Sequence, residues 1–365
     1  MRYRQIHLDF HTSKHITGVG AAFRPEAFQA ALRLGHVDSI TVFSKCHHGW
    51  HYHPTTVGRP HPHLAGDLLG AQIAAAHAIG VKTPVYLSAG LDEQAYWREP
   101  GWARRTAEGG VPWAGGNDKP GFHELCLNTA YLDLLTAEVD EVVRRYDADG
   151  IFLDIVSPRP CWCCRCVRER MAQGHDPRDP AGLDAQARAT YLRYTRRIRA
   201  AIDAVRPGLP LFHNGGHIRR GDRDLARENT HLELESLPTG GWSYDHFPVS
   251  AGYARVLGLP FLGMTGRFHE SWGEFGGYKH PNALRYEAAL GLAHGARLSV
   301  GDQLHPSGEM DEATYALVGA AYAEVEVREP WVRGARSLAE VALFSAEVQI
   351  EGKKEAAVHD EGAAR

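Results

Sequence analysis

The segment DGIFLDIV, residues 149–156, decides the fold class of this chain. It is a short apolar run ended by a polar residue, Asp154, and such runs are typical of buried strands. Helices are predicted on both sides of it, over 128–147 and 185–206. A strand that lies between two helices is the repeating unit of an α/β fold.

The alternation of strand and helix extends in both directions from this segment. We predict eight strands, over 4–12, 39–49, 83–90, 149–156, 210–216, 230–236, 260–268 and 296–305. Further helices are predicted over 25–35, 65–80, 282–294 and 311–326, with a short one between Gly216 and Thr230. No G-x-G-x-x-G motif follows the first strand, which disfavours a dinucleotide-binding fold. Eight such units favour a (β/α)8 TIM barrel over an open doubly wound sheet.

The C-terminal end of the chain departs from this pattern. We assign 1–335 to the barrel. A new strand-like run begins at residue 337 and is followed by polar residues, and so short a segment cannot form a domain. Residues 336–365 are therefore predicted to be a tail or the truncated beginning of a further α/β domain.

Composition disfavours several classes of function. The net charge is -4, so the chain has no strong field that would attract nucleic acid or an anionic membrane. The longest apolar runs have the length of strands, and no apolar segment follows Met1. Neither a membrane span nor a signal peptide is expected, and the predicted location is cytoplasmic. The 22 histidines indicate a polar pocket or a metal site, unless they lie on the surface.

The strand ends point to an active site. Catalytic groups of TIM barrels project from the C-terminal ends of the strands. In this chain those ends carry His11, His47, His48, Asp154, His213, Asn214, Glu235, Arg267 and Asp302. Packing does not require polar residues at so many ends, and we therefore predict an active site on this face.

Carboxylates on different strands suit glycoside hydrolysis, which uses a pair of them. Asp154 is the first candidate, unless it merely caps the next loop. Glu233 and Glu235 share a face of the sixth strand; Glu235 lies nearer the end, and Glu233 is expected to lie deeper, paired with Arg or His. Tryptophans in the loops could stack on a sugar or equally cover the barrel end; those singled out are Trp50, Trp242 and Trp272.

Three segments resemble glycoside hydrolase family 29, the α-L-fucosidases. SKCHHGW, at the end of the second strand, resembles the KHHDGF signature whose paired histidines bind fucose hydroxyls in that family, although HHG replaces HHDG here. DFHTS resembles the HWG segment and places His11 at a sugar-binding histidine. DGIFLDIV resembles the segment that carries the nucleophile, which maps onto Asp154. The resemblance places the general acid at Glu235 by its strand, with Glu270 in FHESWGEF as a rival.

Longer stretches, among them THLELESLPTGGWSYDHFP, look more like family 151 fucosidases and hypothetical glycosidase relatives. Those proteins carry a barrel followed by a domain similar to the trimerisation domain of β-galactosidases. The resemblance therefore implies that the last residues begin such a domain, and that the full-length protein is a homo-oligomer. Its partner is expected to be an oligosaccharide or small glycoside.

A cysteine cluster follows the fourth strand. Cys161, Cys163 and Cys166 form C-x-C-x-x-C, and with Cys126 they could hold one tetrahedral zinc ion. Reduced thiols or a local disulfide would also account for the cluster. A similar loop holds structural zinc in family 42 β-galactosidases, and the resemblance implies a structural metal, with no cofactor for catalysis.

The leading interpretation is a retaining α-L-fucosidase. Asp154 would attack the anomeric carbon and Glu235 would act as acid and base. The remaining predicted substrate-binding residues are His11, His47, His48, Trp50, His213, Asn214, Glu233, Trp242, Arg267, Glu270, Trp272 and Asp302.

Three alternatives stay open. The first is a β-galactosidase-like or other exo-glycosidase, and the second is a non-catalytic sugar-binding barrel. The third is a metal-dependent barrel hydrolase. That reading is disfavoured because His7 and His11, four apart on a continuous strand, would lie about 13 Å apart.

Overall fold

The computed structural model describes residues 1–113, 121–218 and 222–342. Within them the eight predicted barrel strands are present: β1 Arg4–Asp9, β2 Ser39–Lys45, β3 Pro84–Ser88, β4 Gly150–Asp154, β5 Leu211–His213, β6 Leu232–Glu235, β7 Phe261–Gly266 and β8 Arg297–Gln303. The helices are α1 Pro25–Leu34, α2 Leu68–His77, α3 Glu93–Arg98, α4 Tyr131–Arg145, α5 Cys164–Ala172, α6 Pro180–Asp203, α7 Arg223–Arg227, α8 His246–Val256, α9 Pro281–Ala293 and α10 Glu312–Val332.

The eight strands form a parallel barrel. Their order around the sheet is β5-β4-β3-β2-β1-β8-β7-β6, so sequence neighbours are also spatial neighbours. Between β5 and β6 single contacts replace a regular ladder, since Thr230 N–H donates to the Leu211 carbonyl at 3.0 Å. The predicted (β/α)8 barrel is confirmed, and parallel pairing brings all the strand C-termini to one face.

Three helices were not predicted, and one begins earlier than expected. α5 was missed because its residues are mostly Cys and Arg, without an apolar stripe. α3 and α8 were also missed. α6 begins at Pro180 rather than 185, because Asp179 caps it by accepting the Ala181 and Gly182 N–H groups.

All eight strands end before their predicted limits, and for the first two this changes the site. β1 ends at Asp9 and β2 at Lys45, so His11 follows β1 in a loop, and His47 and His48 lie in a turn. After β2, Gly49 adopts φ +81° and donates its N–H to the Cys46 carbonyl at 2.9 Å. The two-residue strand Trp50–His51 then pairs antiparallel with the end of β2. The expectation that 39–49 continues as one strand is therefore wrong.

The predicted strand over 337–345 reaches beyond the described residues, which end at 342, and the tail over 343–365 also lies outside them. Residues 335–342 form no helix or strand and are exposed. Among the described helices, none combines the length and the apolar character that a bilayer crossing requires.

Candidate active site

Asp154 is the last residue of β4, and three donors hold its carboxylate. Oδ1 accepts the N–H of Ile155 at 2.9 Å and Nδ2 of Asn214 at 2.8 Å, while Oδ2 accepts the Tyr86 hydroxyl at 2.6 Å. Each carboxylate oxygen offers two lone pairs. Both lone pairs of Oδ1 are thus engaged, and Oδ2 keeps one, with Nε2 of His47 3.8 Å away. Oδ2 is therefore the oxygen that remains available for chemistry.

The backbone after Asp154 is strained. Ile155 has φ +57°, a left-handed conformation that is a genuine outlier for a β-branched residue. The Ile155 N–H that donates to the carboxylate lies at the start of this turn. Two further N–H groups, of Ala89 and Gly90, donate to the Asp154 carbonyl at 3.0 Å each. A Cβ on Gly90 would lie 1.8 Å from the Ile155 carbonyl oxygen, so only glycine leaves room for this turn.

Two glutamates of β6 extend the site. Burial, followed by the negative charge of Asp154, raises the pKa of Glu235 to about 8. Glu235 therefore carries a proton at neutral pH. Glu233 accepts from His231 Nε2 at 3.0 Å and is buried. It lies deeper than Glu235 and pairs with a histidine.

Asp9, at the end of β1, binds three rings and was not singled out from the sequence. Its Oδ2 accepts Trp272 Nε1 at 2.5 Å, and its Oδ1 lies 3.5 Å from His7 Nε2 and 3.7 Å from His11 Nε2. Burial opposes ionisation of Asp9, but these imidazoles hold its pKa well below its usual range. The predicted distance of about 13 Å between His7 and His11 is therefore wrong. The strand ends between the two residues, and both rings approach the Asp9 carboxylate.

His11 and His47 stack with ring centroids 4.1 Å apart, and the backbone N–H of His47 donates to Nδ1 of His11 at 3.2 Å. The ring centroid of Phe122 lies 5.2 Å from that of His47 and 4.9 Å from that of His48, and the Phe122 and His48 rings meet edge to face at 82°. His48 is half-buried. The two adjacent histidines thus occupy different positions, and His47 is the one beside Asp154.

Trp272 contributes to the barrel mouth through its indole. Its ring lies 5.6 Å from His7 and 5.5 Å from Phe268. A Cβ on Gly301 would lie 2.3 Å from the indole, so glycine at that position of β8 admits the ring. Trp272 and Asp9 together join β1 to the loop after β7.

Two predicted site residues lie away from the mouth. His213 is 3% exposed and bonds through Nδ1 to the Tyr194 hydroxyl of α6 at 2.9 Å, because it faces outward from β5 toward the helix. Trp50 is 9% exposed and packs into the core beside His61, so it offers no face to a sugar. Both predictions of substrate contact are corrected.

Arg267 and Asp302 bind each other rather than facing the mouth. The Arg267 guanidinium donates to Asp302 Oδ1 at 3.1 Å and to the carbonyls of Phe275 and Gly277 at 3.1 and 3.0 Å. Both side chains are buried, at 6% and 2% exposed. Their predicted role in binding substrate is replaced by a structural one.

Trp242 and Glu270 lie on loops at the rim. Trp242 is half-buried, with its ring 5.4 Å from His217 and 5.0 Å from His246. Glu270 is exposed, and its N–H is bonded to Glu274. Glu270 thus lacks the burial that raises the pKa of Glu235.

The four predicted metal-binding cysteines converge. Their sulfur atoms all lie within 4.8 Å of one another, and Cys126 Sγ is 3.6 Å from Cys166 Sγ and 3.7 Å from Cys163 Sγ. Four thiolates around one zinc at 2.3 Å would lie about 3.8 Å apart. All four are buried. The donor set and its spacing therefore fit a closed tetrahedral zinc site, and among the described residues this is the group that meets a metal's requirements.

The loop that carries these cysteines is fastened to two helices. Arg170 donates to the Cys161 carbonyl at 2.8 Å, and Gln186 of α6 donates to the Cys166 carbonyl at 2.9 Å. Asn128 donates to Cys166 Sγ at 3.4 Å, a contact that supports a thiolate. The cluster thus joins the loop after β4 to the start of α4.

A family model described as hypothetical glycosyl hydrolase 6 matches residues 26–155. Comparison with functionally curated proteins gives no match. Among solved structures, the chain is similar to α-L-fucosidase isoenzyme 2 from Paenibacillus thiaminolyticus, with 60% identity and a TM-score of 0.93 over 95% of this chain and 53% of that one. The chain thus spans about half the length of that enzyme.

Two more distant structures share the fold alone. One is a β-galactosidase from Bacillus circulans sp. alkalophilus, with a TM-score of 0.70 and 14% identity over 99% of this chain and 63% of that one. The other is an α-L-fucosidase from Lactobacillus casei in complex with α-L-fucose, with a TM-score of 0.52 and 15% identity over 86% of this chain and 82% of that one.

Proposed function

We propose that this chain, an α-L-fucosidase-like glycoside hydrolase barrel, hydrolyses α-L-fucosides with retention of configuration. The observation that carries the proposal is a pair of carboxylates that differ in their hydrogen bonding. Three donors hold the charge of Asp154, whereas Glu235 has no described hydrogen bond and a raised pKa. Such divergence is the arrangement that lets one carboxyl attack while the other donates a proton.

The two carboxyl groups then have successive tasks. Asp154 Oδ2 attacks the anomeric carbon while Glu235 gives its proton to the departing oxygen, and a glycosyl ester forms on Asp154. Glu235, now ionised, removes a proton from water. The water oxygen bonds to the anomeric carbon, the ester bond breaks, and both residues return to their starting states.

The surrounding rings orient the sugar. His47 lies beside the attacking oxygen, His11 stacks beneath His47, and Trp272 lines the floor. His48 and Trp242 are half-buried, and we assign them to contact with the leaving group. Asn214 acts on the reaction by holding Asp154.

The experiment is a panel of nitrophenyl glycosides assayed on the purified chain and on variants. We expect the α-L-fucoside to be the preferred substrate and ¹H NMR to show α-L-fucose as the first product. Asp154→Asn and Glu235→Gln remove turnover, whereas Asp140→Asn, on the exposed face of α4, retains it. Preference for the β-D-galactoside would support the galactosidase alternative, and loss in Glu270→Gln but not Glu235→Gln would reassign the acid.

We also propose that Cys126, Cys161, Cys163 and Cys166 hold a structural zinc ion. With four thiolate ligands the metal would have no open position, so it would stabilise the loop after β4 and supply no reactive group. Metal analysis of the purified protein should find about one zinc per chain. Cys163→Ser should lower the metal content and the melting temperature, whereas Cys164→Ser, at the exposed thiol, should change neither. Full metal content in Cys163→Ser would reject this site.

A further inference from the structure

Ser88 ends β3, is fully buried, and joins two groups with its hydroxyl. Its Oγ lies 2.7 Å from the Leu91 carbonyl oxygen and 2.6 Å from Nδ1 of His47. The hydroxyl has one hydrogen, and a carbonyl oxygen can only accept. The hydrogen therefore points to Leu91, and Ser88 Oγ accepts a hydrogen bond from Nδ1–H of His47.

This assignment fixes the tautomer of His47. A neutral imidazole carries one proton, so a proton on Nδ1 leaves a lone pair on Nε2. Burial lowers the pKa of His47 well below its usual value, which keeps the ring neutral. Nε2 lies 3.8 Å from Asp154 Oδ2. Nε2 thus lies beside Oδ2 as an acceptor without a donor of its own, and a ligand hydroxyl can donate its one hydrogen to it.

We propose that Ser88 is a positioning residue that locks His47 as a hydrogen-bond acceptor for the sugar hydroxyl next to the anomeric carbon. The inference rests on the proposed function, because Asp154 Oδ2 marks where the anomeric carbon must lie. A hydroxyl oxygen about 2.8 Å from Nε2 can donate its one hydrogen to that nitrogen while the anomeric carbon next to it meets Oδ2, which lies 3.8 Å from Nε2. The ring position adjacent to the attacked carbon carries such a hydroxyl. The site therefore selects glycosides with a free 2-hydroxyl.

The tautomer can be measured without substrate. ¹⁵N NMR of protein labelled at the imidazole nitrogens, with His47→Asn to assign the ring, should show His47 protonated on Nδ1. In Ser88→Ala we expect the proton to move to Nε2, where it can point to the Asp154 carboxylate. Ser88→Thr keeps a hydroxyl and should keep the wild-type tautomer. A proton on Nε2 in the wild type, or an unchanged tautomer in Ser88→Ala, would overturn the proposal.

The role of the hydroxyl is measured with matched substrates. We expect wild-type kcat/KM for nitrophenyl α-L-fucoside to exceed that for its 2-O-methyl analogue, and Ser88→Ala to reduce that preference by about 10- to 100-fold. Ser88→Thr, which keeps a hydroxyl, should keep the wild-type preference. Ser299→Ala, which removes another buried strand hydroxyl, is the control and should leave it unchanged. An undiminished preference in Ser88→Ala would reject the proposal.

The two tests separate this inference from the proposed function. If no nitrophenyl glycoside is turned over, the proposed function fails, while the NMR spectra still decide whether Ser88 sets the tautomer. In that case the hydroxyl is tested by binding of L-fucose against 2-deoxy-L-fucose. Equal affinity of the two sugars would reject the selection of a 2-hydroxyl.

Discussion

The ends of β4 and β8 both carry a buried aspartate, yet the two carboxylates differ in whether an oxygen lone pair stays available to a ligand. Asp154 is held by three uncharged donors and keeps a lone pair on Oδ2. Asp302 is paired with Arg267, whose other donors meet backbone carbonyls. A polar residue at a strand end is thus a functional candidate only when its partners leave part of it free. The two sites should therefore respond differently to substitution.

Removing the carboxylate at Asp154 should have the largest effect. Asp154→Asn takes away the nucleophile while keeping the shape of the side chain, so we expect kcat on the α-L-fucoside to fall by about 10⁴-fold or more. The melting temperature should change little. Calorimetry and single-turnover assays check both points. A variant with near wild-type kcat would show that Asp154 is not the nucleophile.

Removing the guanidinium at Arg267 should act on stability instead. Arg267→Met leaves Asp302 buried without its partner, at a cost of about 3–5 kcal/mol in the free energy of unfolding. Burial raises the pKa of Asp302 to about 6 even with the arginine nearby, and losing Arg267 should raise it further. Protonation relieves a buried carboxylate without a partner, so the loss should shrink as the pH falls through the higher pKa of the variant toward about 6, and should level off below that pH.

The control for this comparison is the double variant Arg267→Met, Asp302→Leu, which removes both charges. Denaturant unfolding should show that it regains most of the stability lost by the single variant. The kcat of folded Arg267→Met should stay within tenfold of wild type. A kcat loss as large as that of Asp154→Asn would return Arg267 to the active site.

Gly90→Ala should distort the Asp154 site from outside it. The new Cβ meets the Ile155 carbonyl, so the turn that aims Ile155 N–H at the carboxylate must shift. We expect kcat to fall about 10- to 100-fold, with a stability loss of about 1–3 kcal/mol. Gly101→Ala, which has open space around it, is the matched control. Wild-type kcat in Gly90→Ala would show that this strain does not position Asp154.

The pH profile should show a smaller and graded effect. Glu235 must be protonated to donate, so kcat/KM should fall about tenfold per pH unit above its pKa of about 8. On the acid side, the pKa of Asp154 is raised by burial, although the Tyr86 hydroxyl opposes this, and activity should fall as Asp154 gains a proton. A rate that kept rising above pH 9 would contradict the role of Glu235.

The sequence was sufficient for the barrel because eight apolar runs alternate with helices, and each run was found within a few residues of its strand. It also singled out Asp154 and Glu235, which the structure places at strand ends, and four cysteines that it brings together, since charged or thiol groups beside a buried strand stand out. It could not show that Arg267 and Asp302 pair with each other, because that depends on the approach of β7 and β8. Nor could periodicity place His213, which faces outward from a short strand.

Asp9, Tyr86 and Ser88 were missed for a different reason. Tyr86 and Ser88 lie in a strand where their side chains look like ordinary packing, and their roles come from the hydroxyl contacts alone. Asp9 had a signal, because a carboxylate between Leu8 and Phe10 in a buried strand needs partners. His7 and His11 on either side of it in the sequence were the partners to expect.

Identification of the residue that bonds to the sugar tests the central claim most directly. The protein is incubated with 5-fluoro-α-L-fucosyl fluoride, which keeps the 2-hydroxyl. Its anomeric fluoride is a good leaving group that lets the glycosyl ester form, and its ring fluorine slows hydrolysis of the ester. The protein is then digested and analysed by mass spectrometry. The account predicts one adduct per chain, on the peptide that contains Asp154, and none in Asp154→Asn. An adduct on another residue, or turnover of the fucoside with inverted configuration and no adduct, would contradict it.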